Sequence, residues 1–133
     1  YFSEMQSLQE YELRPSFRRL IDPGIIRMNP KDTATSSLKT LLAISENILR
    51  DPENPKYLQF QATNDTIKKR IFEPKGALEY AIALGFQPEV EDLQPYYRFN
   101  PEKMIDLRVG AAILKEAIEL DTEKQERATR EAK

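Results

Sequence analysis

A leucine-spaced stretch, residues 32–50, runs into Pro52 and Pro55 and resumes at once with Lys56, Tyr57 and Phe60. Leu38, Leu41, Leu42, Ser45, Ile48 and Leu49 recur at the i, i+3, i+4, i+7 intervals of one helix face. Asp32 or Thr33 stands where a cap is needed. Proline removes a backbone donor and clashes with the preceding turn, so Pro52 ends this helix. The chain must therefore turn a corner within a few residues and present a basic and an aromatic side chain on its far side.

Downstream, local signals follow in close order. "KYLQF" reads as one helical turn running into an extended piece, and "TNDTIKKRIF" as a short helix with Asn64 as N-cap and Asp65 in its first turn. Ile67 and Ile71 share a face there, with Phe72 beside them. "PKGALEYAIALGF" predicts a helix marked by Leu78 and Ile82. Gly85 suits the left-handed position that closes it, and Phe86 the apolar contact of that cap. "QPEVEDLQPYYRF" reads as two strand pieces around an acidic turn. Asn100-Pro101-Glu102 supplies a cap, a proline at the first helical position and an acid in the first turn. The last helix carries Met104, Leu107, Ala111, Leu114 and Ile118. Beyond 121 the apolar stripe vanishes and acids alternate with bases, the pattern of a solvated helical extension. Before residue 32 the apolar positions 5, 8, 11, 13, 17, 20 and 21 give a loose helical spacing broken by Pro15, and "DPG" at 22–24 is a turn. One or two short helices are expected there. The fold class is α+β, mostly α: a compact helical domain with a small β ribbon and a long C-terminal helix.

Composition narrows the chemistry. The 133 residues suit one domain, with 40% apolar residues for a core and 32% charged residues. There is no Cys and no His, so no disulfide framework, no thiolate zinc site and no imidazole base. Acid pairs such as Glu89 with Asp92 lack the apolar setting that raises a carboxyl pKa, and an acidic surface turn explains them. No phosphate-binding glycine loop is present. An enzyme is not expected, nor a metal, nor a cofactor. The net charge of −2 gives no long-range pull toward nucleic acid, although "KKRIFEPK" at 68–75 is a local basic patch. No apolar run approaches the length of a membrane span. A cytoplasmic monomer is expected, with the nucleus also open to it.

Taken in order, "LLAISENILRDPENPKYLQF", "TNDTI", "EPKGALEYAIALGF" and "RFNPEKMIDLRVGAAILKEAI" resemble the PUB (PUG) domain, the module of peptide:N-glycanase, UBX-domain cofactors and the linear-ubiquitin ligase. The resemblance covers about residues 37–120. It leaves residues 1–36 as an N-terminal extension and 121–133 as a charged helical extension. It implies a non-catalytic adaptor that binds a short aromatic and acidic peptide, with the C-terminal tail of valosin-containing protein, an AAA segregase, as the expected partner. It carries a peptide pocket onto Asn47, Lys56, Tyr57, Asn64 and the Gly85-Phe86 corner. An aromatic peptide side chain would lie between Tyr57, an aliphatic wall and Phe86. Asn47 and Asn64 would pair the peptide backbone, and Lys56, Lys68, Lys69 and Lys75 would meet its acids. Gln61 departs from the pattern, since other members carry a basic residue there. A glutamine donates hydrogen bonds but brings no charge. The alternative is a structural interaction module whose pocket is disused and whose terminal extensions make the working contact.

Overall fold

The computed structural model describes residues 2–132; Tyr1, Lys133 and the side chains of residues 2–7, Met5 among them, lie outside the described residues. Five helices and three strands follow one another: α1 (Phe2–Arg19), α2 (Lys31–Arg50), β1 (Gln59–Gln61), α3 (Asp65–Ile67), α4 (Ala77–Leu84), β2 (Phe86–Glu91), β3 (Gln94–Phe99) and α5 (Met104–Glu131). A wider helical turn, Leu20–Ile25, continues α1, and another, Lys68–Phe72, continues α3.

The N-terminal region departs from expectation. In place of one or two short helices broken at Pro15, a single 18-residue helix runs through that proline. An interior proline costs about 3 kcal/mol. The carbonyl it orphans belongs to Tyr11, a residue 74% exposed, so water can take the bond. Burial compensates for the rest: Phe17 and Ile21 are interior, and each such side chain is worth about 1.5–3 kcal/mol. Glu10 pairs with Arg108, and Arg14 and Arg18 with Glu116, so α1 lies alongside α5 with the two helices running the same way. The helical conformation breaks at Asp22, which is extended (φ −134°, ψ 112°), as a residue before proline prefers. Ile25, just beyond, is fully buried.

Helix α2 begins one residue earlier than expected, after Pro30, with no side-chain cap; neither Asp32 nor Thr33 serves as one. Its stripe is real: Leu38, Leu41, Ser45 and Ile48 are buried, whereas Leu49 is exposed. In α4 the buried face is Ala77, Tyr80, Ala81 and Leu84, not Leu78 and Ile82; Ile82 is 49% exposed. The small alanines allow close packing, and Tyr80 is accommodated beneath Phe17, with ring centroids 5.2 Å apart. Its phenol donates to the Gly110 carbonyl.

The ribbon gains a third strand. The order is β1-β3-β2, antiparallel throughout, with Gln59 opposite Arg98, Gln61 opposite Tyr96, and Phe86 opposite Phe99. Alternation places Phe60, Tyr97, Phe86 and Phe99 on the face toward the helices. Phe60 is the hub, 4.9 Å from Phe86 and stacked 5.5 Å from Tyr97, with Phe72 approaching Phe60 and Tyr97 edge-on. On the other face Arg98 bonds Glu89, Glu91 and Gln59. Of the Glu89–Asp92 pair, Glu89 is thus ion-paired on a sheet surface, while Asp92 belongs to the hairpin turn. Asp92 and Leu93 turn the hairpin, both with positive φ (51° and 63°). Asn100 caps the turn into α5 by accepting from the Glu102 N–H at 3.0 Å. The closing helix buries Leu107, Val109, Gly110, Ala111, Ile113 and Leu114, is half-buried at Ala117, Ile118 and Asp121, and then continues exposed to Glu131.

Candidate peptide-binding site

The corner at Pro52 and Pro55 is a chain of backbone turns. The Asp51 N–H donates to the Asn47 carbonyl at 3.1 Å, Asn54 to Asp51 at 3.2 Å, Tyr57 to Asn54 at 3.1 Å and Leu58 to Pro55 at 3.3 Å. Asn54-Pro55-Lys56-Tyr57 is a β-turn with asparagine first and proline second, the residues that favour those places. Asn54 ties it further: its amide donates to the Asp51 carboxylate, and its Oδ1 accepts from the Lys56 N–H. Sequence reasoning passed over Asn54, although an asparagine before proline is itself a turn signal.

This knot sets Lys56 and Tyr57 directly before β1. Lys56 is exposed and Tyr57 is half-buried, its ring packed on the core beside Leu58. Asn47 is half-buried on the last turn of α2, and its Oδ1 accepts from Arg50 at 2.7 Å. Gln61 ends β1; its Nε2 donates to the Tyr96 hydroxyl at 2.9 Å. Tyr96 was not foreseen, because its partnership with Gln61 spans 35 residues. Asn64 caps α3, its Oδ1 accepting from the Ile67 N–H at 3.1 Å. The Lys68 N–H donates to the Asn64 carbonyl at 2.8 Å, which carries Lys68 one turn beyond. Asn47, Lys56, Tyr57, Gln61, Asn64 and Lys68 thus follow one another along a continuous turn, strand and turn.

Three expected residues stand apart. Lys75 lies in the loop before α4, and its contacts are with Asn29, which accepts from the Lys75 N–H at 2.9 Å and donates to its carbonyl at 2.8 Å. Gly85 and Phe86 are interior. A β-carbon on Gly85 would stand 2.6 Å from the Lys103 Cβ and 2.8 Å from Phe99 Cε1. Phe86 is 1% exposed and enclosed by Phe60 and Phe99, so the aromatic wall expected there is covered. The fold uses it to support Phe60 from beneath.

The stretch from Asp51 to Lys75 carries both signs, with Asp51, Glu53, Asp65 and Glu73 interleaved among its cations. Among the described residues, Lys56, Lys68, Lys69, Arg70 and Lys75 have no carboxylate within ion-pair distance, whereas Arg14, Arg18, Arg27, Arg98 and Arg108 do. An unpaired Lys56 next to the half-buried Tyr57 suits an anionic ligand with an apolar side chain. No cluster of three or more possible metal ligands occurs among the described residues. Nor is any described helix long and apolar enough to cross a membrane.

The PUB-domain family pattern matches residues 31–111, more than half of the chain. The chain belongs to the PUB-domain family. Among curated proteins it is 34% identical over 59 residues to the peptide-N(4)-(N-acetyl-beta-glucosaminyl)asparagine amidase of Gallus gallus and 32% identical over the same length to those of Homo sapiens and Mus musculus. Each match spans 44% of this chain and only 9% of the relative. The PUB domain is a non-catalytic interaction module that binds partner peptides, and this chain matches only that part of the amidases.

Proposed function

We propose that this PUB domain is an adaptor that binds the acidic, aromatic C-terminal tail of valosin-containing protein and so links its parent protein to ubiquitin-dependent quality control in the cytoplasm. The observation that carries the reading is the run from Asn47 to Lys68 in a chain of this family: a half-buried tyrosine, Asn47 and Asn64, and Lys56 and Lys68 without acidic partners. In this proposal the peptide's aromatic ring lies against Tyr57, Lys56 and Lys68 meet its carboxylates, Asn47 and Asn64 pair its backbone through their amides, and Gln61 hydrogen-bonds it. Lys75 contributes at longer range, while Gly85 and Phe86 hold the floor. The domain acts as a monomer. Affinity is about micromolar, since a short peptide buries little area and loses chain entropy on binding.

A second reading rests on Gln61, which is neutral and already bonded to Tyr96. Under it the pocket is disused and the terminal helices make the working contact. Titrating a labelled tail peptide separates the two. The adaptor reading expects saturable micromolar binding that weakens with salt and is lost in Tyr57→Ala and Lys56→Glu proteins of unchanged melting temperature. No binding to the unaltered protein, or full binding by Tyr57→Ala, would sink it.

A further inference from the structure

At the end of α2 opposite the peptide face lies a groove of about 380 Å³ that the reading above does not use. It exists because α5 continues past the core. Ala117 and Ile118 are only half-buried there, and α2 opposes them with Ala34 and Leu38. These four make an apolar floor. One wall carries Lys31 and Lys39 of α2; the other carries Asp121 and Gln125 of α5, bonded to each other at 3.2 Å. Among the described residues neither lysine has an acidic partner. Ile26, 42% exposed, stands at one end, and a second concavity of about 430 Å³ shares Ile26, Ala117 and Asp121 with the first.

We infer that this groove docks an amphipathic helix of a partner protein, with acids on one flank and a base on the other. A cleft between two packed helices offers ridges for a third, and no strand edge is there to pair an extended chain. The small residues Ala34, Thr35 and Ala117 let such a helix come close. Charge fixes its orientation. Lys31 and Lys39 are eight residues apart, about 12 Å along the helix axis. A partner lying along α2 meets both with acids seven or eight residues apart, and its opposite flank meets Asp121 with a lysine or arginine. Lys56, Tyr57, Gln61, Asn64 and Lys68 do not line the groove, although Asn29 at its rim also clamps Lys75, so it serves a second contact made while the first is occupied.

The test uses two fluorescein-labelled synthetic 18-residue helices with the same Leu/Ala stripe, the first with Glu on one flank and Lys on the other, the second with Lys on both flanks. The first should bind the full chain saturably and the second about tenfold more weakly. A Lys31→Glu/Lys39→Glu protein should reverse that preference, and Thr35→Trp, which fills the groove, should abolish both. The tail peptide of valosin-containing protein serves as a control whose affinity neither variant changes, whether it binds or not. Equal binding of the two helices, binding of neither, or a preference that survives the double substitution would overturn the inference. So would self-association of the chain that Thr35→Trp abolishes, because the occupant would then be a second copy.

Discussion

The Tyr80 hydroxyl donates a 2.7 Å hydrogen bond to the backbone carbonyl of Gly110, 30 residues away and inside the core. It joins α4 to α5 at the point where Phe17 of α1 meets both. Burial pushes the phenol pKa far above its ordinary value of 10.0. Above pH 10 the unfolded chain releases this proton and the folded chain keeps it. The unfolded state then binds fewer protons, and stability falls as pH rises. The contribution is fully present below about pH 10 and is lost progressively above it. Replacing Tyr80 with Phe should cost about 1 kcal/mol at neutral pH. It should also flatten the loss of stability between pH 9 and 11, as measured by urea unfolding at each pH.

Gly85 has φ +123°, and the space beside it is already filled by Lys103 and Phe99. A Gly85→Ala protein should lose about 2–4 kcal/mol, from positive-φ strain together with overpacking. Thermal unfolding checks this. Tail-peptide affinity below the new transition should be retained, since Gly85 presents no surface.

Asn64 serves the helix and, in the proposal, the ligand. Removing the cap with Asn64→Ala should cost about 1 kcal/mol, and Asn64→Ser should restore most of it. Serine keeps the cap oxygen but not the amide. Affinity measured in the Ser variant therefore reports the amide's role in binding free of the stability change. Unaltered affinity would remove Asn64 from the site.

Leu93 is 93% exposed and held at φ +63° on the hairpin tip. Glycine takes that conformation without strain, at some cost in unfolded-chain entropy. Leu93→Gly should stabilise the fold by about 0.5 kcal/mol, turning the tip into an Asp-Gly turn. A lower denaturation midpoint would show that Leu93 makes contacts its exposure does not suggest.

Helices α2, α4 and α5 and the caps at Asn64 and Asn100 were legible in the sequence because each is encoded within a few residues. So was the corner, through Pro52 and Pro55. The continuity of α1 through Pro15 was not, because the burial and ion pairs that outweigh the proline come from α5, about a hundred residues on. Nor was the buried face of α4. Leu78 and Ile82 are the more apolar residues, but close approach favoured Ala77 and Ala81, and Tyr80 needed the Gly110 carbonyl. At the site, local order was enough for the proline corner before Lys56 and Tyr57 and for the Asn64 cap. The Gln61–Tyr96 bond and the clamp of Asn29 on Lys75 join distant residues and leave no periodic trace. Phe86 was read as a surface wall because a cap contact and a core contact look alike without the strands that cover it.

The parallel packing of α1 against α5 also sets an order of events during synthesis. The ion pairs that lace the two helices join residues 98 and 102 positions apart. As the chain emerges from the ribosome, Phe17 and Ile21 leave before the helix that shelters them has been made. Their apolar face must stay open until nearly the whole domain is translated. Helix α1 is thus among the last elements of the domain to be secured.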